Sequence, residues 1–177
     1  MIRQATADDA PGILEIYAPF CQDSIVSFEL QPPTVEEMQA RIEKCNSTHL
    51  WIVDADEDGI NAYAYASPHK ERAAYRWSVD VSIYISENKR KQGLGTKLYT
   101  HLFDILRERG FYNAYAGVTL PNDGSVRLHE KLGFQQVGVY KNVGYKLGKW
   151  HDVGWWHLQL LPLADQPREP VFTNAPR

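Results

Sequence analysis

The chain has 177 residues, which is long enough for one well-buried domain and too short for two of ordinary size. Its 19 basic and 22 acidic side chains leave a net charge of −3, so composition gives no general attraction to nucleic acid. No apolar run approaches the roughly 20 residues that cross a bilayer, and the first residues lack a signal-peptide layout, so we predict a cytoplasmic protein that does not bind membranes.

The first half of the chain has signals for two helices followed by three strands. Thr6 is a cap for a first helix, and Thr34 with Glu37 three residues later is a capping-box pattern for a second. Apolar alternation and turn residues predict strands over residues 50–54, 60–66 and 77–85.

The second half continues the alternation of helices and strands. The apolar stripe from Leu94 to Ile105 predicts a helix over residues 93–109, which Gly110 ends. Further strands are predicted over 112–118, 134–140 and 154–161, with a short helix between Asn122 and Gly133. We therefore predict one α/β or α+β domain over residues 1–161, followed by a Pro-rich tail over 162–177 that is loose or wraps the surface.

The turn before the 93–109 helix has the composition of an anion site. The first amides of a helix lack partners and carry the positive end of the helix dipole, and glycine at 93 and 95 lets a phosphate approach the backbone. The residues involved are Arg90, Lys91, Gln92, Gly93, Leu94, Gly95 and Thr96. An ordinary strand-to-helix turn with a basic flank fits this spacing equally well, because short glycine patterns are weak evidence.

The remaining reactive side chains do not suggest a metal or a disulfide framework. Cys21 and Cys45 are the only cysteines, and we expect them to act as small apolar side chains. The histidines have no spacing typical of metal ligands, so no metal site is predicted.

At this point the sequence resembles a known superfamily, the GCN5-related N-acetyltransferases (GNAT). Arg90-x-x-Gly93-x-Gly95 matches the superfamily's signature for the pyrophosphate of acetyl-CoA. The resemblance to the phosphinothricin and methionine sulfoximine N-acetyltransferase branch extends from Ile2 to about Leu161. It rests on further segments that recur in order, namely those starting at Lys70, Ser82, Leu98, Pro121 and Gly148.

The resemblance implies a GNAT fold, in which helices flank a mixed and mostly antiparallel sheet. It implies a homodimer that transfers acetyl from acetyl-CoA, without a metal, to the α-amine of a phosphinothricin-, methionine sulfoximine- or methionine sulfone-type substrate. It also implies that residues 91–96 hold the pyrophosphate with their amides. The pantetheine arm would then contact Ile83, Tyr84, Ile85, Asn122 and Ser125.

Two side chains are candidates for proton transfer. Asp80 lies on the same predicted strand face as Ser82, a few residues before the phosphate turn, and burial would increase its basicity. The superfamily usually has glutamate at this position, so the shorter Asp80 favours relay through water. His129 falls on one helix face with Asn122 and Ser125, and by resemblance it assists deprotonation or lines the pocket. A structural carboxylate and a surface histidine are the alternatives.

The acceptor substrate has its own candidate cluster. A basic segment just before Asp80 contains guanidinium and ammonium groups that suit an amino acid with a second acidic group. By resemblance the pocket residues are Phe28, Lys70, Arg72 and Tyr75. From charge alone, a solvated basic loop fits equally well.

Two other functions stay open on the sequence. The same fold could acetylate an unrelated amine, such as a polyamine or a protein N-terminus. The chain could also bind acetyl-CoA as a sensor without turnover, an alternative that the aspartate at position 80 favours.

Overall fold

The computed structural model describes residues 1–172, which form one seven-stranded sheet and four α-helices. The helices are α1 (Ala10–Gln22), α2 (Val35–Thr48), α3 (Leu94–Glu108) and α4 (Asp123–Lys131). The strands are β1 (Ile2–Gln4), β2 (Leu50–Asp56), β3 (Gly59–Pro68), β4 (Ser78–Ile85), β5 (Asn113–Leu120), β6 (Gln135–Lys146) and β7 (Lys149–Gln159).

The strand order is β1-β2-β3-β4-β5-β7-β6, and every neighbouring pair is antiparallel except β4 and β5. This confirms the predicted mixed, mostly antiparallel sheet with flanking helices. The parallel pair is short, since its register covers only residues 78–80 of β4 and 113–115 of β5. The two strands are therefore unpaired with each other beyond Asp80, in the middle of the sheet.

Local capping explains where the helices of the first half begin. The Thr34 hydroxyl accepts a hydrogen bond from the Glu37 amide at 3.2 Å, and the Glu37 carboxylate accepts one from the Thr34 amide at 2.9 Å, which confirms the capping box. The signal at Thr6 opens a short 3-10 turn over Ala7–Asp9, and α1 follows from Ala10.

Apolar side chains form one core on each face of the sheet. On one face, α3 packs Leu98 and Leu102 against the sheet residues Val79 and Val81. On the other face, α1 and α2 form a second core with β2 and β3, whose members include Ile13, Met38, Ile42, Trp51 and Tyr63. Because side chains alternate along β4, Asp80 lies on the face covered by α1 and α2.

The last two strands are longer than the sequence predicts. The predicted strands over 134–140 and 154–161 are parts of a hairpin in which β6 continues to Lys146 and β7 starts at Lys149. Apolar alternation does not show this hairpin, because most side chains of β6 are exposed and backbone pairing holds the strand. The register also shifts between Tyr140 and Gly144, which breaks a period of two.

The sequence analysis also missed β1, whose three residues are too few for a periodic pattern. Ile2 to Gln4 pair with residues 52–54 of β2, so the start of the chain closes one edge of the sheet. None of the helices described over residues 1–172 is long and apolar enough to cross a bilayer.

The described part of the tail lies against the domain. The Trp77 indole donates to the Arg168 carbonyl at 2.8 Å, and Arg76 forms an ion pair with Glu169 at 2.8 Å. The Phe172 ring lies 6.0 Å from that of Phe111. The tail segment over residues 162–172 thus contacts the segment that leads into β4; residues 173–177 of the predicted tail lie outside the described residues.

Candidate active site

A cleft opens where β4 and β5 stop pairing. It encloses a cavity of about 50 Å³ between residues 81–84 of β4, residues 116–119 of β5 and the start of α4. Its lining also includes Val26 from the segment after α1 and Tyr99 from α3. Separation of two central strands leaves backbone groups of β4 without a partner on the β5 side, so an extended ligand can lie along that edge.

The turn before α3 presents a row of free amides at the end of this cleft. The first hydrogen bond of α3 joins the Lys97 amide to the Gly93 carbonyl at 3.1 Å. Among the residues that the structure describes, no acceptor is found for the six amides from 91 to 96. Lys91 and Gly93 both have positive φ, at 61° and 79°, which turns successive amides toward one side. This arrangement favours binding of an anion.

The two glycines of this turn have different surroundings. A Cβ atom added to Gly93 would meet no heavy atom within 4 Å, so the backbone there faces open space. A Cβ added to Gly95 would lie 3.0 Å from Leu128 and 3.2 Å from Ile85. Gly93 therefore supplies backbone conformation and access, whereas Gly95 allows α3 to pack closely on α4 and β4.

Residues at the start of α4 line the cleft from the other side. The Asn122 side chain caps the helix by accepting from the Ser125 amide at 3.1 Å. Both residues line the cavity together with His129, so the structure brings the three predicted α4 residues to one site.

His129 is buried, with 3 % of its surface exposed, and both of its ring nitrogens are engaged. Nδ1 donates to the Ser125 carbonyl at 2.8 Å, and Nε2 lies 3.2 Å from the Tyr99 hydroxyl, which then donates to it. Burial lowers the pKa of His129 below its usual value, although the bond to the Ser125 carbonyl opposes this. The structure thus holds His129 as a neutral imidazole. Tyr99 was missed by the sequence analysis because it reads as part of the apolar face of α3.

Asp80 lies at the closed end of the cleft, at the last paired position of β4 with β5. Its side chain is 31 % exposed, and its Oδ1 accepts a hydrogen bond from His69 Nδ1 at 2.6 Å. Desolvation raises the pKa of Asp80 above its usual value, partly offset by the bond from His69 and by the charge of Lys70. Asp80 is therefore a more basic carboxylate than one in open water.

His69 is a site residue that the sequence analysis did not single out. It follows β3, whose antiparallel register pairs Ser67 with Asp80, and a residue two places from Ser67 lies on the same face. Its ring stacks on Tyr115 of β5 with centroids 4.4 Å apart. The predicted strands could have revealed this proximity only if their pairing and register had also been predicted.

The predicted acceptor residues lie in two places. Lys70, Arg72 and Tyr75 are exposed on the segment between β3 and β4, and the Tyr75 ring lies 6.0 Å from that of His69. Phe28 lies against the β6–β7 hairpin, where a Cβ added to Gly144 would clash with its ring. The structure thus places the basic segment beside Asp80, and Phe28 beside the hairpin.

A second cavity, of about 280 Å³, lies between α2 and the sheet. Its inner wall is largely aromatic, and Arg41, held by Glu29 at 2.6 Å, contributes to its lining. Ser67, the register partner of Asp80, also lines it, so this cavity adjoins the carboxylate on the side away from β5. The sequence gives no signal for it, because its walls come from α1, α2, β2 and β3 together.

Within residues 1–172, no three histidine, cysteine or acidic side chains converge as a metal site would require.

Comparisons with known proteins point to one family. Residues 2–155 match the family model of an acetyltransferase (GNAT) domain. A phosphinothricin N-acetyltransferase of Streptomyces viridochromogenes is 40% identical over 171 residues, which is 96% of this chain and 93% of the relative. An L-methionine sulfoximine/L-methionine sulfone acetyltransferase of Pseudomonas aeruginosa is 29% identical, over 94% of this chain and 98% of that protein.

Solved structures give the same result. The crystal structure of a GNAT superfamily phosphinothricin acetyltransferase from Sinorhizobium meliloti in complex with AcCoA superposes with a TM-score of 0.89. It is 34% identical and covers 96% of this chain and 93% of its own.

Proposed function

Since the chain belongs to the GNAT acetyltransferase family, we propose that it transfers acetyl from acetyl-CoA to the α-amine of a small amino-acid-like substrate. The substrates we expect are phosphinothricin, methionine sulfoximine or methionine sulfone, which the names of its relatives suggest. The observation that carries the proposal is the row of free amides over residues 91–96 at the end of the β4–β5 cleft.

The residues of this cleft fit acetyl-CoA. The amides of residues 91–96, with Arg90 beside them, would hold the pyrophosphate, since they combine free donors with positive charge. Residues 83–85 on the open edge of β4, with Asn122 and Ser125 opposite, would contact the pantetheine arm. When bound there, acetyl-CoA supplies the acetyl thioester that is the acyl donor.

Transfer to an amine requires that the amine lose a proton, and Asp80 is the group on which we expect this step to depend. Its partly buried carboxylate has a raised pKa and lies at the end of the cleft beside the basic segment. Because its side chain is one methylene shorter than that of glutamate, we expect the proton to be transferred through a relay. His129, the second proposed catalytic residue, would support the reaction from the cavity wall, where it fixes the Tyr99 hydroxyl.

The acceptor's carboxylate and its second acidic group would bind to the exposed cations Lys70 and Arg72, with Tyr75 and Phe28 enclosing the rest of the molecule. The position of Lys70 and Tyr75 close to the Asp80–His69 pair supports this assignment. A planar guanidinium suits a carboxylate or phosphinate because it donates two parallel hydrogen bonds.

We also propose that the active form is a homodimer that buries the β6–β7 hairpin. This hairpin exposes several large apolar side chains, an unusual surface for a monomer. They are Val137, Tyr140, Val143, Tyr145, Leu147 and Trp150, each at least 50 % exposed. Light scattering should give twice the chain mass for the wild type and the single mass for Trp150→Glu, whereas a monomeric wild type would contradict the dimer.

The cytoplasmic location stays a prediction.

The decisive experiment measures thiol release from acetyl-CoA with phosphinothricin, methionine sulfoximine and methionine sulfone side by side. Turnover of at least one of them, with the acetylated product found by mass spectrometry, supports the proposal. Turnover only of polyamines or peptide N-termini would assign the site to an unrelated amine. Tight acetyl-CoA binding, with no thiol released in the presence of any amine, would instead indicate a sensor.

A further inference from the structure

We propose that His69 is a further catalytic residue, the relay through which Asp80 deprotonates the amine. The Nε2 atom of His69 accepts the proton, and Asp80 holds the imidazole in the tautomer that can accept it. This inference rests on the proposed acetyl transfer and names the base of that reaction.

The geometry of the pair fixes the tautomer of His69. An ionised carboxylate only accepts hydrogen bonds, so the 2.6 Å contact between Nδ1 and Asp80 Oδ1 requires that Nδ1 carry the hydrogen. Nε2 then has a free lone pair. Across the described residues 1–172, no group forms a hydrogen bond with Nε2, and 18 % of the side chain is exposed. The basic atom of the pair is therefore accessible to a ligand or a water.

Neighbouring rings hold this imidazole in place. It stacks on Tyr115 at 4.4 Å, and the edges of Trp155 and Tyr75 approach it at 6.2 and 6.0 Å. These contacts come from β5, β7 and the segment before β4, so three elements fix its orientation. A histidine that merely covered the surface would have no such set of contacts.

The other candidate histidine of the site does not offer a free base. His129 uses Nδ1 as a donor to the Ser125 carbonyl, and its Nε2 is occupied by the Tyr99 hydroxyl. To accept a proton from a substrate, His129 would have to break the bond to Tyr99 while 3 % exposed. His69 needs no such rearrangement.

The position of the pair also suits the reaction. Asp80 is the last β4 residue paired with β5, and Ser82, two residues or roughly 7 Å along the strand, already lines the cavity. An acceptor bound to the basic segment from Lys70 to Arg72 would reach the end of the cleft past the imidazole. The pair thus lies between the expected acceptor and the expected thioester.

The proposed step moves two protons from the amine and replaces the C–S bond of the thioester with a C–N bond. The acceptor arrives as an ammonium ion, and one of its protons moves to His69 Nε2, directly or through one water. The freed nitrogen lone pair attacks the thioester carbonyl carbon to form the C–N bond, and the C–S bond breaks as the tetrahedral intermediate collapses. The second nitrogen proton goes to the departing thiolate, and the imidazolium, stabilised by the Asp80 charge, releases its proton to solvent.

The test replaces His69 with a residue that keeps the hydrogen bond but not the base. In His69→Asn, the amide nitrogen can replace Nδ1 as donor to Asp80. We expect kcat to fall about 100-fold, the loss typical of a missing general base, while the affinity for acetyl-CoA stays as in the wild type. Added imidazole should restore part of the rate of His69→Ala. His101→Asn, an exposed histidine on α3, is the matched control.

A measurement that does not depend on turnover completes the test. The ¹⁵N NMR signals of His69 should indicate a proton on Nδ1 in the wild type, and this preference should be lost in Asp80→Asn. A proton on Nε2 instead would overturn the inference. So would a wild-type rate in His69→Asn, which would leave the acetyl transfer itself intact. Failure of the wild type to release thiol with any amine would refute the proposed function, and the relay with it.

Discussion

At the scale of single residues, the site depends on one short carboxylate and what surrounds it. Asp80 lacks the methylene of the glutamate that the family usually has, and the 2.6 Å bond to His69 extends its reach through an imidazole. The sequence revealed Asp80 through its strand position and the family resemblance. It did not reveal His69, because the two residues are eleven positions apart and meet only through the register of β3 and β4.

Replacement of Asp80 by asparagine should reduce kcat by at least about 100-fold, since the neutral amide can neither hold the tautomer of His69 nor stabilise its imidazolium. Because burial raises the pKa of Asp80, the wild type should lose activity as the pH falls through that raised pKa. Steady-state kinetics from pH 5 to 8 would measure both effects, with the exposed Asp104→Asn as control. Full activity in Asp80→Asn would remove the carboxylate from the mechanism.

At the scale of elements, the helices were well predicted because caps and apolar stripes are local signals. Thr34 with Glu37 marks the start of α2, and Gly93 and Gly110 enclose α3. The length of the β6–β7 hairpin was not predicted, because pairing with a distant partner strand holds it rather than any pattern in its own side chains. The 280 Å³ cavity escaped prediction for the same reason, since four elements build it.

The turn before α3 gives a prediction about backbone conformation. Gly93→Ala should weaken acetyl-CoA binding, because a side chain at φ 79° costs about 1–2 kcal/mol and redirects the amides of the turn. That cost corresponds to a roughly 5- to 30-fold increase in Kd, which isothermal titration would measure. Gly138→Ala is the control, since this glycine of β6 has no positive φ and no atom within 4 Å of an added Cβ. Equal acetyl-CoA affinity in both variants would show that the turn before α3 does not bind the pyrophosphate.

At the scale of the whole molecule, stability depends on keeping some histidines neutral. Burial and the charge of Arg109 lower the pKa of His49 to about 4, and burial also lowers the pKa values of His129 and His157. An unfolded chain binds these protons near pH 6.5, whereas the folded protein does not until lower pH. The free energy of unfolding should therefore decrease as the pH falls from about 6.5 to about 4.

For His49 alone, this linkage amounts to about 3 kcal/mol across that interval, at about 1.4 kcal/mol for each pKa unit. His49→Gln cannot be protonated, so its stability should decrease less between pH 6.5 and 4 than that of the wild type. Urea unfolding at a series of pH values measures the difference. The exposed His101→Gln should behave as the wild type; the same pH dependence in His49→Gln would show that His49 is not the group responsible.

The contact between the tail and the segment before β4 bears on how the protein can be engineered. Arg168 and Glu169 hold Trp77 and Arg76, a few residues from Lys70 and Arg72. A reporter or affinity tag attached directly after residue 172 would disturb these contacts and, with them, the segment that contains Lys70 and Arg72. If these two residues bind the acceptor as proposed, a fluorophore on the tail would report substrate binding, which offers a route to a biosensor. Fusions at the amino end, next to the edge strand β1, would leave that connection untouched.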